Sequence, residues 1–252
     1  MLECRHFTLQ SKAVPRGSCK SYSSQAEKSR AQFCPRDGAP SSWTDAEMKL
    51  KHLESALHDV DGFQCPNIAL EQYMTSPHLA AVMVHTMHGL GDIEDRRVLD
   101  LGVGCGMLSV ASALMGSRCV VGVDVDETAL ESARANVDEL ELNDVIDLVR
   151  GDVNTLRMRK FDTVIMNPPF GTRCKGIDMA FIRTALDLAT SAVYSLHKTS
   201  TRQHILKKAR EWGAEAKVLA ELRFDLPQSY GFHKLQSKDI QVDFIRLVPR
   251  QR

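Results

Sequence analysis

The chain has 252 residues, 43% of them hydrophobic, which allows one full α/β domain and a tail. Lys and Arg total 32 and so do Asp and Glu, so global charge neither announces nor excludes a nucleic-acid partner. No apolar run of about 18 residues occurs, so no membrane-spanning helix is expected and the protein should be soluble. The cysteines (Cys4, Cys19, Cys34, Cys65, Cys105, Cys119 and Cys174) include no C-x-x-C pair; they read as free thiols of a reducing compartment, with neither a zinc site nor a disulfide framework.

Residues 1–46 are rich in Ser, Arg, Lys, Pro and Gly without apolar periodicity, which predicts a disordered extension ahead of a domain at 47–250. Leu2 to Leu9 is too short and polar for a secretory signal, and the Arg and Ser bias resembles a transit peptide only faintly. Thr44 or Asp45 can cap a helix carrying Leu50, Leu53, Leu57 and Val60, stopped at Gly62; a second helix opens at Ser76-Pro77 with Leu79, Val82, Met83 and Met87. Alternation then follows: strand Val98–Leu101, helix Met107–Met115, strand Cys119–Val125, helix Glu127–Leu140, and strands Val145–Val149 and Phe161–Met166. Helix Met179–Ala189, strand Ala192–Leu196 and helix Thr201–Trp212 come next, and strands Ala216–Phe224 and Ile240–Leu247, separated by polar residues and Gly231, should pair antiparallel. This order predicts a doubly wound, seven-stranded Rossmann-like α/β sheet with a terminal antiparallel hairpin and N-terminal flanking helices.

Asp100-Leu101-Gly102-Val103-Gly104-Cys105-Gly106 ends one strand and opens a helix, where glycines let a ligand approach the backbone. Asp124 closes the next strand, placed to accept hydrogen bonds from ribose hydroxyls because neighbouring strand ends lie about 5 Å apart. That spacing alone also permits a dinucleotide dehydrogenase. Asp100, expected inside the glycine turn, would repel a pyrophosphate and suits a ligand with an ammonium and no phosphate, such as S-adenosylmethionine. At the third strand end, Asp152 could accept from an adenine amine and Val153 could offer its N–H. Further on, Asn167-Pro168-Pro169-Phe170 leaves the sheet at two residues without N–H donors, and can aim the Asn167 amide and the Pro168 carbonyl at a planar amine beside the Phe170 ring. An Asn-Pro-Pro turn before a buried Phe is also an ordinary strand end.

The glycine loop, Asp124, Asp152 and the Asn-Pro-Pro-Phe loop, in this order, resemble the class I S-adenosylmethionine-dependent methyltransferases. Leu70-Glu71-Gln72-Tyr73-Met74-Thr75-Ser76-Pro77-His78, the run through Thr172, and Ala192-Val193-Tyr194-Ser195-Leu196-His197-Lys198 resemble more closely the methyltransferase-like family that N6-methylates one adenosine of small-subunit (18S) ribosomal RNA. The similarity spans about Met48 to Leu247 and departs at Val103, where cysteine is common, and at Met74, where proline is common.

The resemblance implies that Gln72 and Thr75 line the methionine end of S-adenosylmethionine, with Gly102, Cys105 and Met107 around the glycine loop, Asp124 at the ribose and Asp152 with Val153 at the adenine. Asn167, Pro168, Pro169 and Phe170 become the catalytic loop. A phosphate-tracking rim is expected from Arg173, Lys175, His197, Lys198, Arg202, Lys207 and Lys208, although Lys207 and Lys208 read equally well as an ordinary solvated helix face. The family also implies a small zinc-binding activator protein as heterodimer partner, for which Val145–Val149 at the sheet edge is the expected docking strand, and a nuclear and cytoplasmic location that includes the nucleolus. Protein glutamine N5-methylation and guanine N2-methylation of ribosomal RNA remain rival acceptor chemistries on the same fold, and a non-catalytic cofactor-binding scaffold is the rival of another class.

Overall fold

Val98, Leu99, Asp100 and Leu101 are all buried, the pattern of a strand covered on both faces, and this strand lies in the interior of the sheet. The computed structural model describes residues 45–226 and 238–250. The expected extension lies outside these residues except for Asp45 and Ala46, which open the first helix; Gly231, Cys4, Cys19 and Cys34 also lie outside.

In chain order the elements are α1 (Asp45–Leu57), α2 (Pro77–Gly89), β1 (Arg97–Leu101), α3 (Met107–Leu114), β2 (Cys119–Asp124), α4 (Glu127–Glu139), β3 (Ile146–Arg150) and β4 (Phe161–Met166). They continue with α5 (Ile177–Leu188), β5 (Ala189–Lys198), α6 (Arg202–Glu211), β6 (Ala214–Leu226) and β7 (Lys238–Pro249); short 3-10 turns lie at Ile68–Leu70 and Thr199–Thr201. The sheet order is β3-β2-β1-β4-β5-β7-β6, parallel through β5 and antiparallel at β7 and β6, as the alternation and the closing hairpin predict. Among the described residues no helix is long and apolar enough to cross a membrane.

Strand alternation divides the core. Val98, Ile165 and Tyr194 pack with the buried faces of α1, α2 and α3, while Leu99, Leu101, Val164 and Val193 pack with α5 and α6. Ser76 caps α2 through Leu79 N–H with Pro77 in the first turn, as its sequence predicts. Two expectations shift. Strand β5 is longer than Ala192–Leu196 because its ends gain partners only in three dimensions: Ala189 against Phe161 of β4, His197 and Lys198 against Asp243 and Val242 of β7. Helix α5 starts at Ile177, two residues before the expected Met179, after a left-handed Gly176.

Candidate active site

The strand order reverses between β1 and β4, which leaves a crevice at their carboxyl ends, the usual binding position in such sheets. A cleft of about 290 Å³ opens there, floored by the glycine loop and the ends of β1 and β2, and walled by residues 69–75, Asp152 and Val153, Asn167 and Pro169, and Ile177 and Phe181 of α5. Gly104 has φ 56°, and a Cβ on it would lie 2.8 Å from the ring of Phe63, so the loop can approach a ligand only as glycine. Asp124 braces this loop: Oδ2 accepts the Gly104 N–H at 3.0 Å and Oδ1 the Asp126 N–H at 3.0 Å.

Among the described residues the lining carries four carboxylates, Glu71, Asp100, Asp124 and Asp152, and no Lys, Arg or His. Asp100 belongs to β1, a correction to its expected place inside the turn: the β1 ladder continues through Leu101. It is 1% exposed. Its Oδ2 accepts a hydrogen bond from Ser109 Oγ at 2.7 Å, whereas Oδ1 is buried without a partner. Burial, helped by the charge of Asp124, pushes the Asp100 carboxyl up to about 7. A positively charged amine at Oδ1 would satisfy the orphaned oxygen and favour the ionised form, while a phosphate would meet only like charge. The residues present therefore fit S-adenosylmethionine.

The other sequence-predicted cofactor residues all reach this cleft, by different routes. Cys105 is buried, its thiol pushed up to about 11 by burial, so it acts as a small apolar wall; Met107 and Val153 are also buried. Asp152 Oδ1 accepts from Asn154 N at 2.9 Å and Asn154 Nδ2 at 2.8 Å, an Asx turn that leaves Oδ2 for a ligand. Both ends of the Gln72 amide are engaged: Oε1 accepts from Asn67 N and Nε2 donates to Asp126 Oδ2, each at 2.7 Å. Gln72 thus shapes the wall and ties it to the N-terminus of α4.

On the acceptor side, Asn167 Nδ2 donates to Thr75 Oγ1 at 3.0 Å, which leaves Oδ1 as an open acceptor. Thr75, expected at the cofactor, also sets the orientation of the loop amide. Pro169 lines the cleft, Pro168 is buried, and the half-buried Phe170 stands beyond the cleft, edge-on to Phe224 at 5.8 Å. Lys198 Nζ lies 5.7 Å from the Phe170 ring centre.

The expected basic rim is only partly assembled. His197 is 1% exposed, bonded to Ser195 Oγ at 2.7 Å and pulled down to about 3 by burial, so it is a neutral core group. Arg202 forks onto the buried Asp243 at 2.6 Å and also reaches Glu221, and Lys208 pairs with Glu211 at 2.7 Å. Arg173, Lys175 and Lys207 are exposed, and with Lys198 they are what remains of the rim. Sequence spacing could not separate these groups, because the burial of His197 and the Asp243 partner of Arg202 depend on the pairing of β5 with β7.

Sequence reasoning missed Phe63, Phe181 and Phe224, which have no local signature, and the role of Glu71. The Glu71 carboxylate is 7% exposed and accepts the backbone N–H groups of Phe170 at 3.1 Å and Arg173 at 2.8 Å. An acid next to a 3-10 turn was the available signal, since Glu rarely buries without partners.

A doubly wound sheet with its terminal hairpin, a cleft at the reversal point whose charged residues among those described are all acidic, and an Asn-Pro-Pro-Phe loop beside it define a class I S-adenosylmethionine-dependent methyltransferase. The Methyltransferase small domain family matches residues 79–198, and the chain is 58% identical to the rRNA N(6)-adenosine-methyltransferase METTL5 of Danio rerio (80% of this chain, 100% of the relative) and 56% identical to that of Drosophila melanogaster (80% and 97%). This protein belongs to the rRNA N6-adenosine methyltransferase family. A candidate RNA methyltransferase from Pyrococcus horikoshii, solved by crystallography, shares the fold with a TM-score of 0.74 at 34% identity, over 80% of this chain and 98% of that one.

Proposed function

We propose that this protein transfers a methyl group from S-adenosylmethionine to N6 of one adenosine in small-subunit ribosomal RNA. The observation that carries the reading is the Asn167 amide at the cleft, fixed through its nitrogen by Thr75 so that its oxygen is left as an acceptor. When bound, S-adenosylmethionine supplies an electrophilic sulfonium methyl; Asp100 would hold its ammonium, Asp124 its ribose, and Asp152 with Val153 its adenine.

An exocyclic amine conjugated to a purine is a poor nucleophile, because its lone pair is delocalised into the ring. Asn167 Oδ1 and the Pro168 carbonyl accept its two N–H groups and turn the lone pair toward the methyl, which is catalysis by orientation and preorganised dipoles. Phe170, whose ring stands at 89° to Phe224, offers the base a stacking face. No strong general base is needed, since the proton can leave after transfer. The base must be unstacked to reach the loop, which favours single-stranded or distorted RNA over a duplex. The exposed Arg173 and Lys175 beside the loop favour a polyanion over the peptide amide of a glutamine methyltransferase.

The same reading includes a small zinc-binding activator protein as partner. Among the described residues strand β3 pairs only with β2, and its exposed Val149 gives that edge an apolar position, a surface suited to strand addition. A monomer that is fully active and soluble alone contradicts this part. Nuclear and cytoplasmic residence, the nucleolus included, completes the proposal and is checked by imaging the tagged protein. The central experiment incubates the complex with labelled cofactor and separately with small- and large-subunit ribosomal RNA, followed by mass spectrometry of the nucleosides. N6-methyladenosine in the small-subunit RNA alone is expected; label in protein, in guanine or only in large-subunit RNA overturns the corresponding part.

A further inference from the structure

Residues 71–75 form a strap between the cleft and the acceptor loop, and its first side chain makes hydrogen bonds that cofactor binding does not call for. The loop after β4 is irregular, and Gly171 within it takes φ 70°. Its Phe170 and Arg173 N–H groups have no backbone acceptor; both point to the Glu71 carboxylate, one to each oxygen. Among the described residues no cation pairs with Glu71, so these two amides are the groups that compensate its buried charge.

The carboxylate is itself held from behind. Glu71 closes the 3-10 turn Ile68–Leu70 in a left-handed conformation, φ 54°, which a residue with a side chain adopts only where its surroundings impose it. The next residue, Gln72, is anchored at both amide ends, and Thr75 holds Asn167. The strap is therefore a stiff element that grips the loop on both sides of the Pro-Pro step, at Asn167 and at Phe170 with Arg173.

We propose that Glu71 is a positioning residue for methyl transfer: its carboxylate clamps the catalytic loop so that Asn167 and Pro168 present their acceptors to the target amine. This rests on the role assigned above to the Asn167 loop. Glu71→Gln preserves shape but turns one acceptor into an NH₂ donor facing an N–H, so one of the two loop bonds is replaced by a repulsive approach.

The test uses the full chain with its partner. For Glu71→Gln, kcat for RNA methylation should fall about 10²-fold, the size expected when reacting groups are slightly misplaced, while the dissociation constant for S-adenosylmethionine and the melting temperature stay close to wild type. Amide-resolved hydrogen exchange should show loss of protection confined to Phe170 and Arg173. An unchanged kcat overturns the proposal, as does a loss of cofactor affinity as large as the loss of rate, which would make Glu71 part of the cofactor site. Should the variant fail to fold, the wild-type exchange decides: Phe170 and Arg173 amides as labile as that of exposed Lys175 end the idea, and protected amides uphold it. If no RNA is methylated even by wild type, the functional reading fails while exchange still reports on the clamp.

Discussion

The two halves of the cleft are built by opposite means. On the cofactor side, carboxylates sit at the ends of consecutive parallel strands and are braced by nearby backbone or hydroxyl groups, Asp124 by Gly104 and Asp126, Asp100 by Ser109. On the acceptor side, one loop is held from far away in sequence, by Thr75 and Glu71, and is bordered by Phe224 and Lys198 from other strands. Such a division lets one half bind the cofactor by charge while the other orients the acceptor by geometry.

Substitutions can break this contrast. The largest effect is expected for Asn167→Ala, which removes a preorganised acceptor and should lower methyl incorporation into RNA by about 10²- to 10³-fold or more, while calorimetric affinity for S-adenosylmethionine stays within a few fold. Near-normal incorporation would place Asn167 outside the reaction. Phe170→Ala should weaken the catalytic efficiency on RNA by about 1 to 3 kcal/mol, the worth of a base stacked on an aromatic ring, read as kcat/KM with cofactor saturating. Thr75→Val keeps the shape but releases the Asn167 amide to flip, so about a tenfold loss of kcat is expected, the value of one hydrogen bond of about 1.4 kcal/mol. A loss seen only in cofactor affinity would return Thr75 to the cofactor side alone.

The cofactor half responds to pH instead. Asp100 has its folded pKa raised to about 7 from 3.8, so between these values the folded protein holds a proton that the unfolded chain has released, and this group's contribution to stability falls as pH rises through that window. If Asp100 binds the ammonium, the cofactor favours the ionised form: affinity should rise from about pH 6 to about pH 7 by less than about tenfold, with proton release on binding. Calorimetry in buffers of different ionisation enthalpy measures both, and the dependence should vanish in Asp100→Asn. The smallest effect on RNA is expected at Arg202, whose guanidinium serves the buried Asp243. Arg202→Ala should lower the melting temperature by several degrees and leave RNA affinity unchanged, while charge reversal at Arg173 and Lys198 should weaken RNA binding and reduce its salt slope by about 1 for each phosphate no longer neutralised.

The cofactor half was legible from the chain because its signals are local. Gly102, Gly104, Asp100 and Asp124 lie within one β-α-β unit, where strand ends and glycine turns recur at readable spacing. The Asn-Pro-Pro-Phe loop was legible for the same reason: two prolines must end a strand. The rim was misread in part because α6 shows the same basic residues whether they face solvent or a buried acid, and only the antiparallel pairing of β5 with β7 sets Asp243 beside Arg202 and His197 in the core.

Hydrophobic periodicity and turn chemistry by themselves determined the alternating strands and helices, the glycine loop and the acids at successive strand ends, since those depend on neighbours within roughly thirty residues, the reach of one β-α-β unit. That Glu71 is tied to the acceptor loop was decided only by tertiary structure. Glu71 lies 99 residues from Phe170 and 102 from Arg173, and a hydrogen bond over such a separation leaves no periodic trace in the chain; it forms because the doubly wound sheet carries the strap over the crevice and sets its buried charge against two unpaired amides.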